Sequence, residues 1–174
     1  TAGMSKAELL AASPRIFDNP ILDKLSRVPW WFPLFYLPFA AWIGWKGAMA
    51  QPAFVTIASL IFGYIAWTLS EYVFHRWLFH TEFPGKIGER IHFLLHGVHH
   101  VHPSDPLRLV MPPLMSLPLM ALAYVVIAAL FAAPISYTVT AGFLFGYVLY
   151  DEIHFHIHHR PPRTKVEQIL RRAH

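Results

Sequence analysis

Cysteine is absent from the 174 residues. That excludes disulfides, thiolate-ligated haem, and zinc or iron–sulfur centres held by sulfur. Charge is scarce: Asp, Glu, Lys and Arg together make up 14% of the chain, where soluble globular domains carry about 25%. Residues 1–29 show no basic, apolar and small-residue cleavage pattern in succession, so no secretory leader is expected among them. The length allows one domain. The chain starts at Thr1 and stops at His174, inside a stretch that reads as functional. It is therefore expected to be truncated at its C-terminus.

What is present is apolar. Hydrophobic residues are 55% and aromatics 16% of the chain, with a mean hydropathy of +0.40. Four apolar runs cover 30–47, 52–74, 114–133 and 135–150. A spanning helix needs about 20 apolar residues. The second and third runs meet this, the first nearly does with 48–50 added, and the fourth does if its helix continues to 155. The pattern predicts an all-α membrane protein: an N-terminal segment over 1–29, then one domain over 30–174 with spans at about 30–50, 52–74, 114–133 and 135–155. The short connections at 46–52 and 132–136 predict two tight helical hairpins. Prolines at 33, 38, 52, 118 and 134 are tolerated in spanning helices packed on neighbours. Residues 121–131 lack the polar stripe that a soluble amphipathic helix requires.

Basic residues give the orientation. Lys6, Arg15, Lys24 and Arg27 precede the first run, Arg76, Lys86, Arg90 and Arg108 lie between the second and third, and Arg160, Arg163, Lys165, Arg171 and Arg172 follow the fourth. Only Lys46 falls on the other side. The positive-inside rule then makes both termini and the central loop cytosolic, so the positive charge reads as membrane orientation rather than as a nucleic-acid surface. All 12 histidines fall on that same side.

The histidines form clusters: His75 and His80; His92, His96, His99, His100 and His102; His154, His156, His158 and His159; and His174 alone. On a helix, residues three and four apart are neighbours, so His96 with His99 and His100, and His154 with His158, project together. His75 and His80 diverge by about 140° on an α-helix, which suits ligands to two ions or a helix ending between them. His159 points away from His158, toward a second ion. His92, His102 and His156 fit ligand spacing less well and read equally as structural. Ionisable groups at this depth are costly and mark function, and inward side chains at such spacings hold metals in helical bundles. One zinc uses three or four ligands, so eight or nine well-spaced imidazoles point to two ions. Imidazole suits iron, zinc, copper and nickel alike.

The chain resembles the fatty acid hydroxylase and sterol desaturase superfamily, and within it the fatty acid 2-hydroxylases. The resemblance rests on Glu71 through His80, His92 through His100 followed by Pro103, Asp105 and Arg108 to Pro113, and Gly146 through Tyr150, Asp151 and His154 to His158 and His159. It covers about 20–174. It implies four membrane helices under a cytosolic helical cap that holds two metal ions, iron for activity with zinc possible in purified material. The matching ligand positions are His75, His80, His96, His99, His100, His154, His158, His159 and His174. The family's final box, a histidine followed two residues later by a histidine pair, is represented by its opening residue alone. No haem motif of a b-type cytochrome domain is present, so the resemblance implies a separate b-type cytochrome or ferredoxin-like electron donor.

The implied activity is O2-dependent hydroxylation at C2 of a fatty acyl chain, free or in ceramide, in sphingolipid synthesis. The expected location is the endoplasmic reticulum in a eukaryote or the inner membrane in a bacterium. Asp105 and Asp151 are expected to accept from ligand imidazoles. Arg108 is expected to pair with one of them, with the substrate head group or with lipid phosphate. Tyr150, with Trp67, Tyr72, Phe74 and Tyr147, would line an acyl channel or belong to an interfacial aromatic belt. The alternatives are a lipid desaturase or a sterol or carotenoid hydroxylase with the same oxidant. From another class, a metal transporter or sensor is possible in principle, but a transporter places its ligands near the bilayer midplane.

Overall fold

A computed structural model describes residues 5, 12–79, 81, 84–92, 101–102 and 104–173. Every regular element among them is helical. The first helix, α1 (Pro20–Leu25), is started by Asn19, whose side-chain oxygen accepts from the N–H groups of Ile21 at 2.9 Å and Leu22 at 3.3 Å. Pro20 occupies the first helical position, where a missing N–H costs nothing.

Pro33 holds Phe32–Phe35 in a 3-10 turn, and only then does α2 (Tyr36–Ala48) begin. The first apolar run thus gives a regular helix of 13 residues, about 20 Å long, shorter than the 30–50 segment expected. α3 (Ala53–Val73) passes directly into a π-wound turn, Phe74–Phe79. α4 (Gly85–His92), α5 (Pro113–Leu130) and α6 (Ile135–His159) follow. α7 (Lys165–Ala173) opens with a capping box: the Thr164 N–H donates to Glu167 Oε2 at 2.9 Å, and the Glu167 N–H returns to Thr164 Oγ1 at 3.2 Å.

Two of these are long and apolar enough to cross a membrane, Ala53–Trp77 and Pro113–Leu130. In each, only 17% of the apolar window is buried. Phe54, Ile57, Ile61, Ile65 and Leu69 on α3, and Leu117, Leu122 and Val125 on α5, face outward. A soluble core helix hides such residues; here lipid is the solvent that suits them. The chain is a membrane protein.

Sequence neighbours were expected to pair as hairpins, yet α2 and α3 barely touch. α6 is the hub, packing most extensively on α3, then α2, then α5. The reason is local: Gly63 on α3 lies against the Val139 carbonyl, and Gly142 on α6 against the Leu60 carbonyl, so a methyl at either would collide with backbone. Small residues that let backbones approach are how helices associate where lipid removes the hydrophobic drive. Level with these glycines, Gln51 Nε2 donates to Thr138 Oγ1 at 3.0 Å, which in turn donates to Ser59 at 2.8 Å.

The pairings climb both helices in the same direction: Ser59 with Thr138, Gly63 with Phe143, Trp67 with Gly146. α3 and α6 are therefore parallel. The C-terminal ends of both, where the histidines sit, come out at the same level. Trp67 and Tyr147, 1% and 0% exposed, lock this level by edge-to-face contact at 5.2 Å. Phe143 adds a second edge at 5.2 Å on Trp67, and Tyr36 one at 5.3 Å on Tyr147. Trp67 and Tyr147 are thus interlocked core, neither channel lining nor interfacial belt.

Candidate metal centre

His75 stands at the start of the π-wound turn. In a helix with i→i+5 bonds, about 4.4 residues per turn, positions five apart lie about 50° from each other instead of about 140°. The five-residue spacing of His75 and His80 is matched to that winding; His80 itself lies outside the described residues. One turn earlier, Glu71 is 7% exposed, and its Oε1 lies 4.0 Å from His75 Nδ1. The Tyr150 hydroxyl donates to the same carboxylate. Tyr150, Glu71 and His75 thus form a polar column crossing from α6 to α3. The carboxylate sits on the Nδ1 side of the imidazole.

The last two turns of α6 carry His154, His156, His158 and His159. His154 and His158 meet edge to face at 5.0 Å, and Tyr150 packs on His154 at 5.7 Å. His159 is held from two sides. Its ring stacks on Phe155 at 3.9 Å, and its Nδ1 lies 3.1 Å from the Phe155 carbonyl oxygen. A carbonyl can only accept, so Nδ1 bears the proton and the lone pair sits on Nε2. That atom is buried and meets no hydrogen-bonding partner among the described residues. An imidazole fixed in this tautomer with a dry, free Nε2 is the form a metal ion takes. His156 turns elsewhere, its Nε2 3.4 Å from Glu167 Oε1 on α7.

The segment entering α5 ties this layer together. Asp105, 1% exposed, accepts from the Leu107 N–H at 2.9 Å and faces Arg108 at 3.7 Å. Arg108 also reaches Asp23 of α1 at 3.1 Å and donates to the Pro14 carbonyl. Asp151 accepts from the Met111 N–H at 3.2 Å. Val28 donates to the Leu107 carbonyl at 2.7 Å. So Arg108 pairs with Asp105, as one expectation had it, and adds a partner the sequence did not suggest. Asp105 and Asp151 each anchor the 105–111 backbone, a task beside the imidazole contact expected of them.

Burial works against ionisation of Asp23. The N–H groups of Ile16 and Phe17, with the Arg27 and Arg108 guanidinium groups, outweigh it and hold the carboxyl below the usual carboxylate range. Burial, aided by Arg27, lowers Arg108, while Asp105 and Asp23 oppose the shift. It stays a cation at any physiological pH.

His75, His154, His158 and His159 are thus at one end of two parallel helices. His96, His99, His100 and His174 lie outside the described residues, as do most of the residues between α4 and His102. Among the described residues no group of three or more metal-binding side chains converges. Two contributors escaped the sequence reading as functional groups. Glu71 carries a signal that could have found it, an acid inside an apolar run four residues before a histidine. Asp23 has a local pair in Arg27, but its link to Arg108, 85 residues away, leaves no mark in the sequence.

Residues 60–174 match the family model described as fatty acid hydroxylase. A dihydroceramide fatty acyl 2-hydroxylase of Arabidopsis thaliana is 35% identical over 163 residues, which cover 92% of this chain and 69% of the relative. A ceramide very long chain fatty acid hydroxylase of Saccharomyces cerevisiae is 40% identical over 84% of this chain and 39% of its own length. Fatty acid 2-hydroxylase of Mus musculus is 31% identical over 85% of this chain and 46% of its own. A solved structure of full-length scs7p, with only the hydroxylase domain visible, aligns with a TM-score of 0.81 at 37% identity, covering 89% of this chain and 60% of that one.

Proposed function

Because the chain belongs to the fatty acid hydroxylase family, we propose that it hydroxylates C2 of a fatty acyl chain in sphingolipid synthesis. The relatives named for that reaction on ceramide or dihydroceramide support the substrate. The observation that carries the chemistry is His159, with its Nδ1 proton given to the Phe155 carbonyl and its buried Nε2 left for a metal.

The proposed ligands are His75, His80, His96, His99, His100, His154, His158, His159 and His174. Nitrogen-only donors leave a bound pair of ions its full charge, and iron is the proposed metal for activity, with zinc able to fill the same positions. Such a pair, when bound, supplies the activation of O2. The reaction inserts one oxygen atom into the C2–H bond and reduces the other to water, consuming two electrons from a separate donor of the b-type cytochrome or ferredoxin class and two protons from solvent.

The chain's own residues do the positioning. Glu71, held by Tyr150, orients His75. The Phe155 ring and carbonyl orient His159. Asp105, Arg108 and Asp151 fix the segment that closes over the helix ends, which keeps bulk water from the oxidising centre. In the full reading α2, α3, α5 and α6 all cross the membrane, with the metal layer and both termini on the cytosolic face, where the basic residues concentrate.

The test is expression of the full-length protein with isotope-labelled fatty acid in a host that makes no 2-hydroxylated lipid, followed by mass spectrometry. A labelled 2-hydroxy acyl product is expected. A product with a new double bond, or hydroxylation elsewhere, overturns the C2 reading. Mössbauer spectroscopy of the iron-loaded protein should show a spin-coupled pair, and an isolated ion would sink the dinuclear centre.

A further inference from the structure

α7 and α1 are turned inside out for helices that meet water. On α7, Glu167 and Arg171, one turn apart, face the end of α6: Glu167 sits 3.4 Å from His156, and Arg171 reaches the Arg160 carbonyl at 3.5 Å. The opposite side carries Val166, Ile169 and Leu170, which are 65%, 65% and 39% exposed. α1 repeats the arrangement independently. Its Asp23 points inward to Arg27 and Arg108, while Ile21, Leu22 and Leu25 are 67%, 37% and 43% exposed.

Depth and charge identify what covers these faces. Trp30, beside the first apolar helix, packs on Phe155 of α6 at 6.3 Å, a level that aromatic rings favour at the membrane boundary. α7 docks on residues 156–160, within about 8 Å of that level along the helix axis, which is headgroup depth. Arg15 and Lys24 near α1, and Arg160, Arg163 and Lys165 around α7, are exposed cations. Asp18 is the exposed acid beside them, whereas Asp23 and Glu167 are engaged with the protein.

We propose that α1 and α7 lie in the plane of the membrane at the histidine-bearing end, apolar faces sunk to the acyl boundary and cations set against anionic lipid headgroups. This rests on the membrane character of the chain and is independent of the reaction assigned to it. The two helices form a collar around the helix ends, so the headgroup layer rather than water borders the metal layer on those sides. Basic amphipathic helices bind membranes by this combination of apolar burial and headgroup attraction.

The absence of cysteine makes the test direct. Single-site variants Leu25→Cys, Gln168→Cys and Ile169→Cys of the full-length protein are spin-labelled and reconstituted in vesicles of phosphatidylcholine, with and without phosphatidylserine. Labels at 25 and 169 should collide several-fold more with oxygen than with a water-soluble nickel chelate, and the label at 168 should do the reverse. Phosphatidylserine should increase protection at 169, and Arg163→Gln with Lys165→Gln should abolish that increase. Equal nickel access at 168 and 169 overturns the proposal. So does dipolar broadening between labels on neighbouring copies, or protection at 169 from both reagents, which would mean protein cover.

Discussion

The α3–α6 seam and the layer above it hold the same two helices together by opposite means. Along the seam, backbones touch: Gly63 and Gly142 remove the side chains, and Trp67, Phe143 and Tyr147 fill what remains. In the layer above, almost nothing is held by close backbone packing. Carboxylates grip polar partners instead: Asp23, Asp105 and Asp151 hold backbone N–H groups, Asp23 and Asp105 also face Arg108, and Glu71 sits between Tyr150 and His75. Packing is non-directional and sets distance; hydrogen bonds are directional and set orientation. A metal layer needs both, so the seam fixes the level of the histidines and the polar layer fixes their rotation.

Breaking the seam should therefore cost the whole protein. Gly142→Leu drives a side chain into the Leu60 carbonyl, and relief requires the helices to separate. Overpacking of a tight contact costs about 1–3 kcal/mol where neighbours can shift, and backbone cannot shift as side chains do. The expected result is loss of monodisperse protein on size exclusion in detergent. Leu122→Ala on the outward face of α5 should leave the same profile unchanged.

Breaking the upper layer should be milder and local. Arg108→Ala leaves Asp105 and Asp23 with less compensation, and removing one partner of a buried pair costs about 3–5 kcal/mol. Because Asp23 keeps Arg27 at 2.9 Å, a value near the lower end is expected, read as a fall in melting temperature. Proteolysis should begin within residues 12–28 while α3 and α6 stay intact. If the helices unfold at the same temperature as this strap, the two regions are not separable. Glu71→Gln tests orientation alone. It keeps an acceptor for Tyr150 but loses the charge beside His75, and outer carboxylates of this kind are worth about 10–100-fold in metal affinity. A drop in metal retained on titration with a chelator, at unchanged melting temperature, is the expected outcome.

The same division explains what could be read from the sequence. Apolar length and histidine spacing are local properties, so the helices and the third cluster were legible. The basic residues near run ends are local too, and the orientation drawn from them stays a proposal. Partner choice among the helices was legible only in part: α5 and α6 pack as chain proximity suggested, whereas Gly63 and Gly142, with Gly44 and Gly47 on α2, set α3 and α2 against α6 rather than against each other. The five-residue spacing of His75 was legible as an anomaly. The π-wound turn that begins beside His75 shows only in backbone winding. Asp23 drew no reading from the sequence, because Arg108, which ties it to the 105–111 segment, is 85 positions away.

The smallest effect expected concerns acid. Unfolded, the Asp23 carboxyl titrates near the ordinary value of about 3.9. In the fold, burial pushes that value up, and the N–H groups of Ile16 at 2.9 Å and Phe17 at 3.4 Å, with Arg27 and Arg108, bring it below. The folded chain then binds fewer protons at this site than the unfolded chain. Its contribution is complete above the unfolded value and fades as pH falls through the depressed folded value. Melting of the strap, followed by proteolysis within 12–28, should shift to lower temperature as pH drops below about 4. Asp23→Asn should flatten that dependence and already show the loosened strap at neutral pH. Arg27→Gln should flatten it less, since Arg108 still faces the carboxylate. An unchanged acid response in Asp23→Asn would move the origin of the polar layer's acid sensitivity away from α1.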